Sequence, residues 1–233
     1  THDAWLEGFD MEHYPGTVLH DGVGAICDTV MQATSKVSLI CIGPVPNIAA
    51  ALARQPGICD NAKFVGMHGS IRRGYLDAPK PMREFNVKTH ALACRAVFEA
   101  PWEKVITPLD TCGNIILDGE RFAKIREAAT QQGPASAPGI CLDCHFAWFE
   151  AVKHWPILKH LNAQSQSSVL YDLVAVYLGF AEDLLVMEDL PVLVTPDGKT
   201  MIDDSGDNVR CATSWQDKHA FLDLVTERLA TSG

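Results

Sequence analysis

Apolar runs alternate with segments of helical spacing along this chain, and residues 37–54 (VSLICIGPVPNIAAALAR) show both patterns in succession. The segment begins as a continuous apolar run, breaks at Gly-Pro-Val-Pro-Asn and resumes at residue 48 with the composition of a helix. This pattern predicts a buried strand, a tight turn and a helix. Ligands of open α/β sheets bind outside the carboxyl ends of the strands, so we expect a site at the turn 43–47.

The neighbouring segments extend the same alternation. Residues 1–20 read as an irregular lead-in, and residues 21–34 carry apolar positions three and four apart, which predicts a helix. Residues 62–67 (AKFVGM) predict a second parallel strand, whose end would lie beside the turn 43–47. The loop predicted over residues 69–86 is longer than a simple connection needs, and such loops are usually functional.

The second half of the chain changes character towards its end. Helices are predicted at 88–100, 119–131, 143–161 with an interruption at Pro156, 171–180 and 218–229, a loop at 132–139, and strands at 105–109, 190–195, 199–203 and 208–214. Alternating strands and helices followed by a hairpin place the chain in the α/β class. At 233 residues it is expected to form a single domain, 1–233.

Charge and cysteine content narrow the choice of partner and compartment. The 29 acidic residues exceed the 19 basic ones, giving a net charge of −10, which argues against nucleic acid or an anionic membrane as partner. A small molecule or another protein is expected instead, and we also expect a homo-oligomer. No apolar run reaches the roughly 18 to 20 residues of a membrane span, and the first residues lack signal-peptide features. Eight scattered cysteines favour a reducing compartment, so a cytoplasmic location is expected.

Three segments carry candidate polar chemistry, each with a structural alternative. The two prolines of the turn 43–47 would leave carbonyl oxygens free for a cation, or Asn47 simply caps the following helix. Glu84 and Asn86 suit a polyol, since a carboxylate accepts from hydroxyl groups while an amide donates and accepts, or they begin a helix. Asp172 is either a charge at a helix start or a metal ligand.

Two further motifs remain open. The sequence Cys-Leu-Asp-Cys-His at 141–145 matches the covalent haem attachment pattern, a zinc or redox pair, or two ordinary thiols. The acidic turn 203–207 could attract calcium or form a hairpin tip. Serine hydrolase, dinucleotide and nucleoside triphosphate motifs do not occur in the sequence.

Four segments share their order with the motifs of a known enzyme family. The run VSLICIGPVPNIAAAL resembles I-T-L-V-x-x-G-P-L-T-N-I-A, KFVGMHG resembles a strand ending in M-G-G, EFN matches E-F-N, and YDLVA is similar to H-D-P-L-A. Together these segments resemble the inosine-uridine-preferring nucleoside hydrolase family. The resemblance implies a Rossmann-like, open, mostly parallel sheet flanked by helices, with a small C-terminal β-hairpin region. It also implies hydrolysis of the N-glycosidic bond of ribonucleosides, with nucleoside or ribose as ligand.

The resemblance also assigns roles to individual residues. The family uses a bound Ca²⁺, for which the main-chain oxygen of Ile42 and the carboxylate of Asp172 would be ligands. Glu84 and Asn86 would hold ribose hydroxyl groups. Calcium takes six to eight oxygen ligands, including main-chain carbonyls, so isoleucine at position 42 is compatible with this role.

Substrate contacts are expected also at Met67 and Asn47. Tyr171 stands where many family members carry the histidine that protonates the leaving base, and tyrosine is a weak acid.

One departure bears on activity. The family's acidic motif D-T-D-x-G-x-D-D, which supplies most calcium ligands, is absent from this sequence. The expectation is therefore either an N-terminally truncated, calcium-dependent nucleoside hydrolase or a catalytically inactive relative that binds ligands or acts as a scaffold.

Overall fold

The computed structural model describes residues 6–155 and 161–231, which form six strands and ten helices. The strands are β1 (Val37–Cys41), β2 (Ala62–Met67), β3 (Lys104–Thr107), β4 (Leu185–Val194), β5 (Thr200–Ile202) and β6 (Asp207–Trp215). The helices are α1 (Gly22–Gln32), α2 (Pro46–Arg54), α3 (Ile58–Asn61), α4 (Phe85–Thr89), α5 (Ala91–Glu99), α6 (Leu109–Cys112), α7 (Gly119–Gln132), α8 (Ala137–Val152), α9 (Leu173–Leu178) and α10 (Lys218–Thr231). Two short 3-10 turns complete the described elements, at Met11–His13 and Tyr75–Asp77.

The chain divides into two compact units. The larger comprises Val18–Asn114 and Tyr171–Gln216 and contains the whole sheet, while the smaller is drawn from Thr1–Thr17, Ile115–Leu170 and Asp217–Gly233. In the described residues, no helix is both long and apolar enough to cross a membrane.

The sheet of the larger unit has the strand order β1-β2-β3-β6-β4-β5. The pairs β1–β2, β2–β3 and β3–β6 are parallel, and β4 pairs antiparallel with both β5 and β6. The predicted mostly parallel α/β sheet is therefore confirmed, including the adjacent placement of β1 and β2.

The final strands differ from the prediction in length and connection. Strand β4 begins at Leu185 rather than at residue 190, because the segment before Pro191 pairs with β6 around a bulge at Val186 and Met187. The acidic turn 203–207 is not a hairpin tip, because β5 and β6 lie on opposite sides of β4. Both features depend on which strands pair, and the local sequence does not show this.

Helices cover both faces of the sheet. Phe64 of β2 packs against Phe98 of α5 and stacks on Trp102, with ring centroids 6.1 and 5.8 Å apart. On β1, Ile40 points the other way, since its side chain touches the Gly179 position at the end of α9. Successive strand residues alternate between faces, so α5 and α9 cover opposite sides.

Helix boundaries correct several predictions. Asn47 is not the N-cap of α2: Val45 holds that position, because Pro46 is already pre-set for the first helical turn. The helix predicted over 88–100 is two helices that meet at His90, where φ is −140°.

In the smaller unit, helix α8 begins at Ala137 rather than at residue 143. The Ser136 hydroxyl caps this helix by accepting from the Gly139 N–H. The loop predicted over 132–139 is therefore shorter than expected. The predicted interruption at Pro156 falls outside the described residues. Helix α7 packs against both α8 and α10, and Arg121 of α7 pairs with Asp223 of α10 at 2.6 Å.

Candidate functional site

The carboxyl ends of β1, β2 and β3 lie side by side in the larger unit. Cys41 is paired in register with Gly66, and Met67 with Thr107. Beyond the strands, main-chain hydrogen bonds continue between the segments, with Leu109 N–H donating to the Gly69 carbonyl at 2.9 Å. Main-chain hydrogen bonds therefore connect the segments on which the expected site lies.

Glu84 ties the end of β2 to the start of α4. Its side chain is 2% exposed, and its two oxygens accept from the main-chain N–H groups of Asn86, Val87 and Gly69 at 2.7, 3.1 and 3.1 Å. Burial raises the pKa of Glu84, while these N–H donors and the charge of Lys88 oppose the shift. Glu84 is thus the N-cap of α4, as one sequence alternative expected.

Asn86 is held directly against the end of β2. Its Nδ2 donates to the Met67 carbonyl at 2.9 Å and approaches the Met67 sulfur at 3.4 Å. The side chain is 6% exposed. Glu84, Asn86 and Met67, three of the residues singled out by sequence, therefore form one connected cluster.

Two tyrosines lie beside this cluster. The ring of Tyr171 meets the ring of Tyr75 edge-on at 5.9 Å, and the Tyr75 hydroxyl accepts from the Phe85 N–H at 2.8 Å. Burial, together with the charge of Glu84, raises the pKa of Tyr75 to about 12. Burial is also the main reason that the pKa of Tyr171 is raised, which makes it a weaker acid than an ordinary tyrosine.

Asp172 occupies the N-cap position of α9, but its side chain makes no capping hydrogen bond. Burial raises the pKa of Asp172 to about 6. Asp172 therefore lies at a helix start, as one sequence alternative expected, but no capping hydrogen bond offsets the effect of burial on its pKa.

The turn that follows β1 is open to solvent on one side. Ile42 is 48% exposed, and a cavity of about 350 Å³ lies along this edge of the sheet. Its lining consists of Ile26, Leu39, Ile40, Cys41, Ile42, Gly43, Pro44, Val45, Asn47 and Ile48. Asn47 therefore lines the cavity from the second position of α2, where its Oδ1 accepts from the Ile48 N–H.

His68 follows Met67 at the end of β2 and is completely buried. Its ring packs between Phe64 and Phe98 at 5.5 and 6.4 Å, and neither nitrogen has a hydrogen-bond partner in the described residues. Burial lowers the pKa of His68 to about 4, with the nearby Gly43 main chain opposing the shift. The histidine is therefore neutral near pH 7.

Asp110, which the sequence analysis did not single out, organises the loop that leaves β2. Its carboxylate accepts from the N–H groups of Ile71, Arg72 and Arg73 at 2.8, 2.7 and 3.2 Å. The sequence feature that could have identified Asp110 is its position just after strand β3, at the same edge of the sheet as the other candidates.

The donor set does not fit a complete calcium site. Calcium needs six to eight oxygens, and the resemblance assigns only the Ile42 carbonyl and the Asp172 carboxylate to this chain. Across residues 6–155 and 161–231, no three His, Cys, Asp or Glu side chains group as metal ligands. The side chains described here would need further oxygen donors to enclose the ion.

Curated relatives match part of the chain. A non-specific ribonucleoside hydrolase, RihC, of Klebsiella pneumoniae subsp. pneumoniae is 31% identical over 125 residues, which are 53% of this chain and 40% of that protein. The corresponding protein of Salmonella agona is 30% identical over the same share. The matched stretch thus spans two fifths of these relatives.

Solved structures share the fold over more of the chain. A purine-preferring ribonucleoside hydrolase from Gardnerella vaginalis superposes with a TM-score of 0.72 at 21% identity, covering 90% of this chain and 65% of that one. An inosine-uridine preferring nucleoside hydrolase from Bacillus anthracis gives a TM-score of 0.66 at 21% identity, covering 91% and 65%. The profile of the family described as inosine-uridine preferring nucleoside hydrolase matches residues 8–223. The chain therefore belongs to the inosine-uridine preferring nucleoside hydrolase family.

Proposed function

We propose that this protein acts in the hydrolysis of the N-glycosidic bond of ribonucleosides, which yields the free base and ribose. The observation that carries the proposal is the connected cluster of Glu84, Asn86 and Met67 at the carboxyl ends of the strands. Family membership and the names of the curated relatives support the same reaction.

In this proposal the cluster holds the ribose. The Nδ2 of Asn86 is fixed on the Met67 carbonyl, which orients the amide and leaves its Oδ1 to accept from a sugar hydroxyl group. A carboxylate has about four lone-pair sites, and Glu84 uses three for main-chain donors, so one site remains for a second hydroxyl group. Met67 and Asn47 would supply further substrate contacts.

The chemistry that these residues contribute is electrostatic. Cleavage of a glycosidic bond passes through a cationic, oxocarbenium-like state, which a nearby carboxylate stabilises. Asp172 would supply that charge above its pKa of about 6. Because its pKa is raised, Tyr171 would remain protonated and donate a hydrogen bond to the departing base.

Calcium enters the proposal only as the resemblance implies it. The Ile42 carbonyl and the Asp172 carboxylate would supply two of its oxygens, and when bound the ion would hold the ribose diol and activate a water. Since the described residues do not complete the ligand set, no step above depends on the ion.

The test is an assay of inosine and uridine hydrolysis by the chain, with and without added Ca²⁺, read as the release of reducing sugar. Substitution Asn86→Ala should abolish turnover. Asn61→Ala, an amide at the end of α3, should leave it unchanged. Equal activity in the two variants, or no hydrolysis of either nucleoside by the wild type, would contradict the catalytic proposal.

A second candidate is a catalytically inactive binding or scaffold protein of the same fold. Two observations favour it: Glu84 is consumed largely by main-chain hydrogen bonds, and the calcium ligand set is incomplete. Ribose binding without hydrolysis, and without calorimetric heat on Ca²⁺ titration, would establish this alternative.

The remaining expectations concern context. We propose one nucleoside hydrolase-like domain over 1–233, self-association into a homo-oligomer, and a reducing, cytoplasmic environment. All eight cysteines are free, which suits that environment. The net charge of −10 supports a small-molecule partner rather than nucleic acid. Light scattering after size-exclusion chromatography would measure the oligomeric state.

A further inference from the structure

The Cys-x-x-Cys pair of helix α8 has no role in the proposed reaction. Cys141 is exposed and Cys144 is half-buried, and both are free thiols in the smaller unit. They stand three residues apart on a continuous helix, so their side chains share one face. Burial and, to a lesser extent, the charge of Cys144 raise the pKa of the Cys141 thiol.

Helix geometry decides what the two sulfurs can do together. Residues three apart on a helix have Cβ atoms about 5–6 Å apart. A disulfide needs Cβ atoms about 3.5–4.5 Å apart, so a direct bond would distort the helix. Two sulfurs at about 2.3 Å from one metal ion span up to about 4.6 Å, which this spacing accommodates.

The adjacent histidine cannot serve as a third ligand in this conformation. His145 Nε2 lies 2.9 Å from the Ala163 carbonyl, and Nδ1 faces the Ser168 N–H at 3.4 Å. Its ring is also packed against Phe149, with centroids 4.8 Å apart. These contacts disfavour both the haem and the zinc alternatives, since zinc takes four ligands and the described residues group no three candidates.

We propose that Cys141 and Cys144 form a two-thiolate site for a soft cation of low coordination number, Cu(I). Soft thiolate ligands bind Cu(I), zinc and iron–sulfur clusters. Zinc and iron–sulfur clusters take four protein ligands, whereas Cu(I) of low coordination number needs no third donor here. On binding, each thiol releases one proton and each sulfur forms one bond to copper. No electron is transferred, so the site needs no oxidant.

The other cysteines do not compete as pairs. All six lie in the larger unit. The buried ones are Cys27, Cys94, Cys112 and Cys211, and the half-buried ones are Cys41 and Cys59. Burial raises the pKa of Cys94 and Cys211, which keeps these thiols protonated. Cys59 is the natural control, because it is a partly accessible thiol on a different helix.

The test is an anaerobic titration of the full, reduced chain with Cu(I) against a competing Cu(I) chelator. We expect one ion per chain, and Cys141→Ser or Cys144→Ser should each weaken binding by at least about 100-fold, since even outer-shell substitutions cost about 10- to 100-fold. Cys59→Ser should bind as the wild type does. Unchanged affinity in either α8 variant, or equal loss in Cys59→Ser, would overturn the proposal.

A measurement on the wild type avoids any dependence on how the variants fold. X-ray absorption at the copper edge should show two sulfur neighbours and no nitrogen neighbour. Three sulfur neighbours, or an imidazole signature, would show that copper sits elsewhere and would refute the two-thiolate site.

Discussion

At the scale of the residue, Glu84 accepts three main-chain hydrogen bonds and connects the end of β2 to the start of α4. Removing it by Glu84→Ala would leave the N–H groups of Gly69, Asn86 and Val87 without their acceptor. We expect the free energy of unfolding to fall by about 3 kcal/mol, because the variant loses a helix cap and leaves buried N–H donors without an acceptor. Urea denaturation measures this loss.

The matched control for that change is Glu120→Ala, which removes an exposed acid from the first turn of α7. Its effect on unfolding should be about 0.5 kcal/mol or less. A similar loss in both variants would show that Glu84 contributes no more than an ordinary helix-start acid.

Asp172 predicts a dependence of stability on pH. Its pKa is about 6 in the folded chain against 3.8 for the free group, so the folded state holds the proton more tightly. The Asp172 contribution to stability is therefore greatest below pH 4 and is lost as pH rises through 6.

Substitution Asp172→Asn removes this contribution. Relative to the wild type, the variant should gain about 2 kcal/mol of unfolding free energy between pH 4 and pH 7. Thermal or urea unfolding across that range tests the gain. A difference between the two proteins that stays constant with pH would contradict the buried, uncapped carboxylate.

At the scale of the element, Asp110 of α6 shapes the loop that follows β2. Asp110→Ala should speed amide hydrogen exchange at Ile71, Arg72 and Arg73 by about tenfold or more, because each loses a hydrogen bond of about 1.4 kcal/mol. Asp60→Ala, on helix α3, should leave these three amides unchanged. Equal protection in all three proteins would show that the loop is ordered by other contacts.

Sequence patterns predicted the strands with continuous apolar runs. Strands β1 and β2 follow the residues expected for them, since a continuous apolar run indicates a parallel strand. The burial predicted for β1 is wrong, because β1 is the edge strand of the sheet and none of its five residues is buried. The start of β4 could not be predicted, because Glu188 and Asp189 read as a loop until β6 supplies a partner strand. The start of helix α8 was predicted several residues too late, because Pro138 and Gly139 suggested a loop. In the structure these two residues lie in the first turn of the helix, which Ser136 caps.

The site residues that could be predicted from the sequence are those whose position depends only on neighbouring residues in the chain. Glu84, Asn86 and Asp172 lie at element starts, where the sequence indicated polar functions. Asp110 and His68 were missed, because their roles depend on segments far away in sequence. Their partners become visible only once the sheet brings three strand ends together.

At the scale of the whole molecule, the larger unit contains every residue of the proposed ribose cluster. The cluster is fixed by main-chain hydrogen bonds before any ligand arrives, which lowers the entropic cost of binding. Ribose recognition can therefore be tested separately from catalysis and from calcium.

The most direct measurement is a ribose titration followed by NMR at the Asn86 side-chain amide. We predict that the Asn86 Nδ2 resonances shift with saturable dependence on ribose, that Asn86→Ala abolishes binding, and that Asn61→Ala preserves it. Resonances of Asn86 that do not move at saturating ribose, or undiminished ribose affinity in Asn86→Ala, would contradict the account.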